Sequence, residues 1–312
     1  MPSFQSPLGA LPARFRRERL LIIGCGDIGL RVARRVSARM RVLALTSSAA
    51  RLPALRAQGI TPLRGNLDQA ATLRRLAGLA TRVLYLASPP AEGWRDPRLA
   101  ALIQALRVRQ LPLSMVYAST SGVYGDCQGA SVDERRLPRP QTPRALRRAD
   151  AEAQMRLLGR ACPGAQGVKV SLLRVPGIYA LDREGGTPRE RLQKRTPVLR
   201  PADDVFTNHI HADDLARACD LALWKGRAQR VYNVNDDSAM LMGDYFDLAA
   251  DLMGLQRPPR IARDTAQSAL PLMLLSFMGE SRRMDNARMK RELGLRLSYP
   301  TVREGLARVN DE

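Results

Sequence analysis

The sequence predicts an α/β protein built on a doubly wound parallel sheet, followed by a smaller C-terminal α/β region. Three observations carry this. Short apolar segments alternate with amphipathic helical patterns through the first half of the chain. The first apolar segment runs straight into glycines spaced GxGxxG. Successive apolar segments lie too far apart for hairpins and far enough apart for helical crossovers.

The elements follow in order. Residues 19–23 are an apolar run ending in glycine, the pattern of a strand buried on both faces. Ile28, Val32, Val36 and Met40 then recur every four residues and predict a helix with arginines on its outer face. Further strands are expected at 41–46, 59–64, 82–87 and 113–119. The fourth stops at Ser88, Pro89 and Pro90, because proline cannot extend the ladder. A sixth strand is expected at 168–174. Residues 176–206 are rich in proline, glycine and charge, which predicts loop and short helix over a cleft. A helical pattern covers 207–223, and 231–235 reads as the strand that completes the sheet. Helices and loops run from there to 312.

Composition narrows the class. The chain has 312 residues, 45% of them hydrophobic, enough for a substantial core. No apolar run is long enough to span a bilayer, and the start lacks a secretory core, so a soluble cytoplasmic protein is expected, without membrane association. Cys25, Cys127, Cys162 and Cys219 form no CxxC pair, which argues for reduced thiols and against a metal site. Cys25 sits inside the glycine loop, where a small side chain is needed. The net charge of +20 raises nucleic acid as a partner. Two facts oppose it: only four of the fifty basic residues are lysines, a codon-like bias toward arginine, and aromatics make up just 4%.

Gly24, Gly26 and Gly29, with Asp27 and Ile28 between them, sit where a strand passes into a helix. In that context they predict a Rossmann-type dinucleotide site. Gly24 permits the turn, Gly26 admits the pyrophosphate, and Gly29 allows close packing of helix on strand. The helix N-terminus adds amide donors and a favourable field. About twenty residues on, an acid would select NAD. The chain has Thr46, Ser47 and Ser48 there, with Arg51 beyond, and no acid before Asp68. Hydroxyls and a guanidinium suit a 2′-phosphate, so NADP is preferred and NAD stays open.

With these pieces placed, the chain resembles the extended short-chain dehydrogenase/reductases of the NAD(P)-dependent epimerase/dehydratase family, as an atypical member. The carriers are IIGCGDIG (22–29), GNLD (65–68), VYASTSGVYGD (116–126), LLRVPGIYA (172–180), NHIHADDLARA (208–218) and VYNVNDD (231–237). The resemblance implies that Asn66 and Leu67 lie beside the adenine. It places Ala87, Ser88 and Pro89 along the cofactor, and Val175, Pro176 and Gly177 at its nicotinamide end. It gives Thr120, four residues before Tyr124, the role of the family's substrate-orienting hydroxyl. Tyr124 and His209 are further candidates to assist catalysis. Packing is the alternative for Tyr124, and hydrogen bonding within the fold is the alternative for His211. Asp213 or Asp214 reads as the cap of the following helix.

One departure stands out. The family's YxxxK motif belongs at 144–148, where this chain has Arg144 and Arg148. Arg148 keeps a charge for the nicotinamide ribose, although a guanidinium is not a lysine equivalent. Arg144 cannot act as a general acid or base near neutral pH. Arg144, Arg148, Arg174, Arg183 and Arg200 are arginines that suggest an anionic substrate.

The expected organisation is a basic, disordered segment at 1–18, a cofactor-binding domain at 19–175 completed by the strand near 231–235, and a substrate-binding region at 176–312. The preferred function is an oxidoreductase or epimerase acting on a small molecule, anionic or a sugar nucleotide, without the Tyr–Lys relay. A non-catalytic sensor of NADP(H) or a metabolite is the alternative. A basic scaffold contacting nucleic acid comes third, and a homodimer is left open.

Overall fold

The structure is a computed structural model that describes residues 18–161 and 167–307. The expectations for the first seventeen residues and for Cys162 lie outside the described residues.

The first half alternates as expected. It runs β1 (Glu18–Ile23), α1 (Asp27–Val36), β2 (Met40–Thr46), α2 (Leu52–Ala57), β3 (Thr61–Arg64), β4 (Arg82–Tyr85), α3 (Pro97–Arg107) and β5 (Ser114–Thr120). A short β6 (Ser131–Val132) precedes α4 (Pro143–Ala161) and β7 (Lys169–Val175). The second half is broken into smaller pieces: β8 (Gly177–Tyr179), α5 (Arg189–Gln193), β9 (Val198–Leu199), β10 (Phe206–Thr207) and β11 (His209–His211). Then come α6 (Ala212–Lys225), β12 (Arg230–Asn233), β13 (Met240–Leu241), α7 (Met242–Leu252) and β14 (Arg260–Ile261). The described chain ends with α8 (Arg263–Ala269), α9 (Leu272–Met278), β15 (Arg283–Met284) and α10 (Val302–Ala307). Among the described residues no helix is long and apolar enough to cross a membrane.

The sheet has seven parallel strands in the order β12-β7-β5-β4-β1-β2-β3. The strand order reverses between β1 and β4, and such a switch point opens a crevice at the carboxyl ends of the strands. Burial explains why β1 is apolar without alternation. Leu20 and Ile22 face one layer with Val32, Val36, Leu215 and Ala222, while Leu21 and Ile23 face the other with Leu99, Leu102, Met155 and Leu158. Helices α1 and α6 thus cover one face, and α3 and α4 the other. Each fully buried aliphatic side chain contributes roughly 1.5–3 kcal/mol, so both layers hold the central strands.

Two boundaries differ from the sequence expectation. Helix α1 ends at Val36, and Met40 opens β2 rather than closing the helix. The first residues of the helical pattern expected over 207–223 are strand instead, because β11 pairs in parallel with β8, and α6 starts at Ala212. A separate C-terminal core gathers Tyr179, Leu192, Leu199, Tyr245, Phe246 and Leu306.

A buried ion pair ties α4 to the sheet. Arg174 on β7 donates from Nε and Nη2 to the two carboxylate oxygens of Glu152 at 3.0 and 2.7 Å. Both side chains are buried, and the guanidinium lies 4.6 Å from the centre of the Tyr124 ring. Glu152→Gln leaves the guanidinium buried and uncompensated. Urea unfolding of that variant should show a loss of about 3–5 kcal/mol.

Candidate functional site

The glycine loop lies at the β1 and β4 junction. Gly24 has φ of +84°, and a Cβ there would stand 2.5 Å from the Ala87 backbone nitrogen. Gly26 faces open space: a Cβ on it would meet nothing within 4 Å. A Cβ on Gly29 would press on Cys25 Sγ and Ile22 at 3.2 Å, so helix and strand meet at close range. Cys25 is buried, which pushes its thiol up to about 11. It fills space beneath the loop and is not a reactive thiol.

Arg51 reaches back from the end of β2 and donates from Nη2 to the Cys25 carbonyl at 2.6 Å. A guanidinium therefore stands against the glycine loop, and Ser47 and Ser48, just before it in the chain, are exposed. Thr46 is buried, and its hydroxyl accepts from the Ser48 amide at 3.3 Å. Across the crevice the Asn66 side chain accepts from the Asp68 amide at 3.0 Å. Asp68 is held by Arg98 at 2.7 Å through both oxygens, and Arg98 also donates to the Ser88 carbonyl at 3.2 Å. Leu67, Ala87 and Pro176 are partly exposed, Ser88 and Gly177 are exposed, and Pro89 and Val175 are buried.

The far end is where the expectations diverge. Arg148 is buried, and its Nη1 donates to the Ala118 carbonyl at 2.9 Å, the Tyr117 hydroxyl at 3.0 Å and the Ala87 carbonyl at 3.3 Å. Its charge is drawn into the floor formed by the ends of β4 and β5. Thr120 stands half-buried at the end of β5, its hydroxyl accepting from the Gly122 amide at 3.3 Å. Arg144 lies one helical turn from Arg148 and has no acidic partner among the described residues. Desolvation and the charges of Arg148 and Arg147 hold its pKa below the ordinary arginine value. Ala145, its neighbour, lies against Gly122 and so against the Thr120 turn.

Tyr124 takes the packing role. It is fully buried and donates to Asn233 Oδ1 at 2.7 Å. His209, expected beside the cleft, lies on β11 next to Gly177 and turns its ring toward the C-terminal core. There its ring stacks on Tyr245 with centroids 4.1 Å apart. Burial pushes its pKa down to about 3, so the imidazole is neutral. The cap of α6 is a correction. His211 Nδ1 accepts from the Asp213 amide at 3.2 Å and does the capping. Asp214 is buried and accepts from the Ser298 and Tyr299 amides at 2.9 Å.

Of the five arginines, Arg174 belongs to the core pair and Arg200 pairs with Asp203 at 2.7 Å on the surface. Arg183 lies 3.2 Å from Asp27 at the glycine loop. The sequence reading missed a network there. Arg31 is buried and donates to Asp27 at 3.0 Å, Asp182 at 2.7 Å and Asp213 at 2.6 Å. The Asp27 and Arg31 spacing of one helical turn was a local signal for it.

Two buried groups in the C-terminal lobe set opposite pH dependences. Burial pushes Asp236 up to about 8, and one carboxylate oxygen has no hydrogen bond. From its ordinary 3.8 to about 8 the folded chain holds a proton that the unfolded chain releases. Stability therefore falls as pH rises through that window. His209 works the other way: from 6.5 down to about 3 the unfolded chain takes up a proton that folded His209 refuses. Stability falls there as pH drops. Urea melts across pH should show Asp236→Asn removing the first loss and His209→Phe the second.

The chain matches the family model described as the TrkA-N domain over residues 20–92. No curated protein matches it in sequence. Among solved structures it is 30% identical to a protein of unknown function from Silicibacter pomeroyi DSS, with 93% of this chain and 96% of that one covered and a TM-score of 0.76. It is 17% identical to a UDP-glucose 4-epimerase from Thermotoga maritima solved with UDP-glucose, covering 93% and 96%, with a TM-score of 0.75. A dTDP-glucose 4,6-dehydratase from Streptomyces venezuelae, with NAD and TYD bound, is 21% identical over 93% and 95%, with a TM-score of 0.73. The chain belongs to the family of the Silicibacter pomeroyi protein and has the fold of the extended short-chain dehydrogenase/reductases of epimerase/dehydratase type.

Proposed function

We propose that the protein binds NADP(H) at the glycine loop and acts as an oxidoreductase or epimerase on a small anionic substrate, without a Tyr–Lys proton relay. The observation that carries this is the pairing of two features on one sheet edge. One is open space above Gly26 at the start of α1. The other is Arg144, without an acidic partner among the described residues, in the first turn of α4, whose Ala145 lies against the Thr120–Gly122 turn.

The residues fit the cofactor. Gly26 leaves room for a diphosphate against the α1 amides, and Gly24 and Gly29 close the loop on both sides. Arg51, with Ser47 and Ser48, offers a cation and two hydroxyls where a 2′-phosphate would lie, and among the described residues no carboxylate pairs with it. Bound, the cofactor supplies hydride transfer. The protein's share is orientation. Thr120 offers a hydroxyl to a substrate carbonyl or alcohol, and Arg144 offers a fork of N–H donors to a carboxylate or phosphate. Arg148 braces the floor between β4 and β5. Since a guanidinium keeps its proton, the proton accompanying hydride transfer is exchanged with solvent or within the substrate. The solved relatives with sugar nucleotides make that class of anion the first to test.

A second reading, a sensor of NADP(H) without turnover, is favoured by the commitment of Arg148 to backbone carbonyls. The test is a binding titration with NADPH and NADH, followed by absorbance assays with nucleotide sugars, aldehydes, ketones and keto acids. Turnover supports the enzyme. Tight binding with no absorbance change for any of them supports the sensor. Arg51→Ala should weaken NADPH binding about tenfold and leave NADH unchanged. Arg144→Ala should raise KM for the anionic substrate by a similar factor; unchanged constants would remove Arg144 from the site.

A further inference from the structure

We infer that Arg183, which lies against Asp27, is a clamp for the cofactor diphosphate; this rests on the cofactor reading above. Asp27 is the first residue of α1, next to Gly26, so its carboxylate adds a negative charge near the place proposed for the diphosphate. One of its oxygens, Oδ1, accepts from Arg31 Nε at 3.0 Å. The other, Oδ2, lies 3.2 Å from Arg183 Nε. Those last two atoms are buried, and neither makes a hydrogen bond. They meet as charges with poor alignment, not as a settled pair.

The loop carrying Arg183 does not need that contact. Asp182 is anchored to Arg31 at 2.7 Å. The turn closes on itself, with the Ala180 amide donating to Gly186 at 3.2 Å and the Gly186 amide to Arg183 at 2.9 Å. Arg183 adds one bond to the Ile178 carbonyl at 3.0 Å, and its side chain stays 28% exposed. The cluster holds three carboxylates (Asp27, Asp182 and Asp213) against two guanidiniums (Arg31 and Arg183). Its excess is negative, at the place where an anion is to bind. A diphosphate arriving over Gly26 offers Arg183 full charge-assisted hydrogen bonds in exchange for a misaligned contact. Asp27 stays behind, held by Arg31, as a repulsive element that the clamp outweighs.

The test is calorimetric titration of NADPH and NADH into the full chain and into Arg183→Gln, Arg183→Lys and Asp27→Asn, at two salt concentrations. Arg183→Gln should weaken NADPH binding about tenfold or more and flatten its salt dependence. Arg183→Lys should lie between it and the parent. Asp27→Asn should tighten binding, because it removes a like charge and frees the arginine. The opposite signs are the discriminating result, since two partners with a merely structural role would weaken binding together. Weakening by both Arg183→Gln and Asp27→Asn, or parental affinity in Arg183→Gln, overturns the clamp and leaves the cofactor reading intact. Failure of the parent chain to bind either dinucleotide overturns both.

Discussion

The close approach of Gly24 to Ala87 is the constraint on which the rest of the site depends. A Cβ at Gly24 would sit 2.5 Å from the Ala87 nitrogen, so the β1 exit and the β4 exit can lie side by side only with glycine there. That contact sets the direction in which α1 leaves the sheet. It also fixes where the helix amides point, and thereby where a diphosphate can rest. Arg148 then spans the next gap, from Ala87 to Ala118. The floor of the crevice is held from β1 to β5 by backbone proximity at one end and a buried guanidinium at the other.

On the proposed function, the same arrangement lets binding and proton transfer come apart in this chain. Holding a dinucleotide needs backbone shape, a helix N-terminus and a few donors, and all are supplied by the sheet edge. Moving a proton needs a side chain that can lose one near neutral pH. Neither residue of the expected relay has that chemistry here. Tyr124 cannot stand in, because its hydroxyl is buried against Asn233 and its pKa is raised by desolvation. What the site offers in its place is positive charge. Arg144, Arg147 and Arg148 lie within one stretch of α4, and among the described residues Arg144 is the one of the three without a hydrogen-bond or ion-pair partner.

Much of the fold was legible because burial on both faces leaves a plain signature. The run Leu20 to Ile23 reads as strand for the same reason that it is fully buried. The glycine spacing was legible because steric contact allows nothing larger. Three things were not. Met40 continues the helical period by coincidence, and only the parallel pairing of β1 with β2 assigns it to a strand. His209 carries no local mark of its burial, which comes from β8 and Tyr245, distant in sequence. The destination of Arg148 is set by two carbonyls at the ends of other strands. Long-range placement decided each of these, and periodicity does not encode it.

The most direct test of the account is the structure of the complex with NADPH. It should show the diphosphate over Gly26 against the first turn of α1, the 2′-phosphate at Arg51, and the nicotinamide ring between Thr120 and Arg144 with no side chain that can lose a proton near neutral pH in proton-transfer reach. A tyrosine or carboxylate brought against the ring would contradict the separation of binding from proton relay. A dinucleotide lodged away from the glycine loop would contradict the site itself.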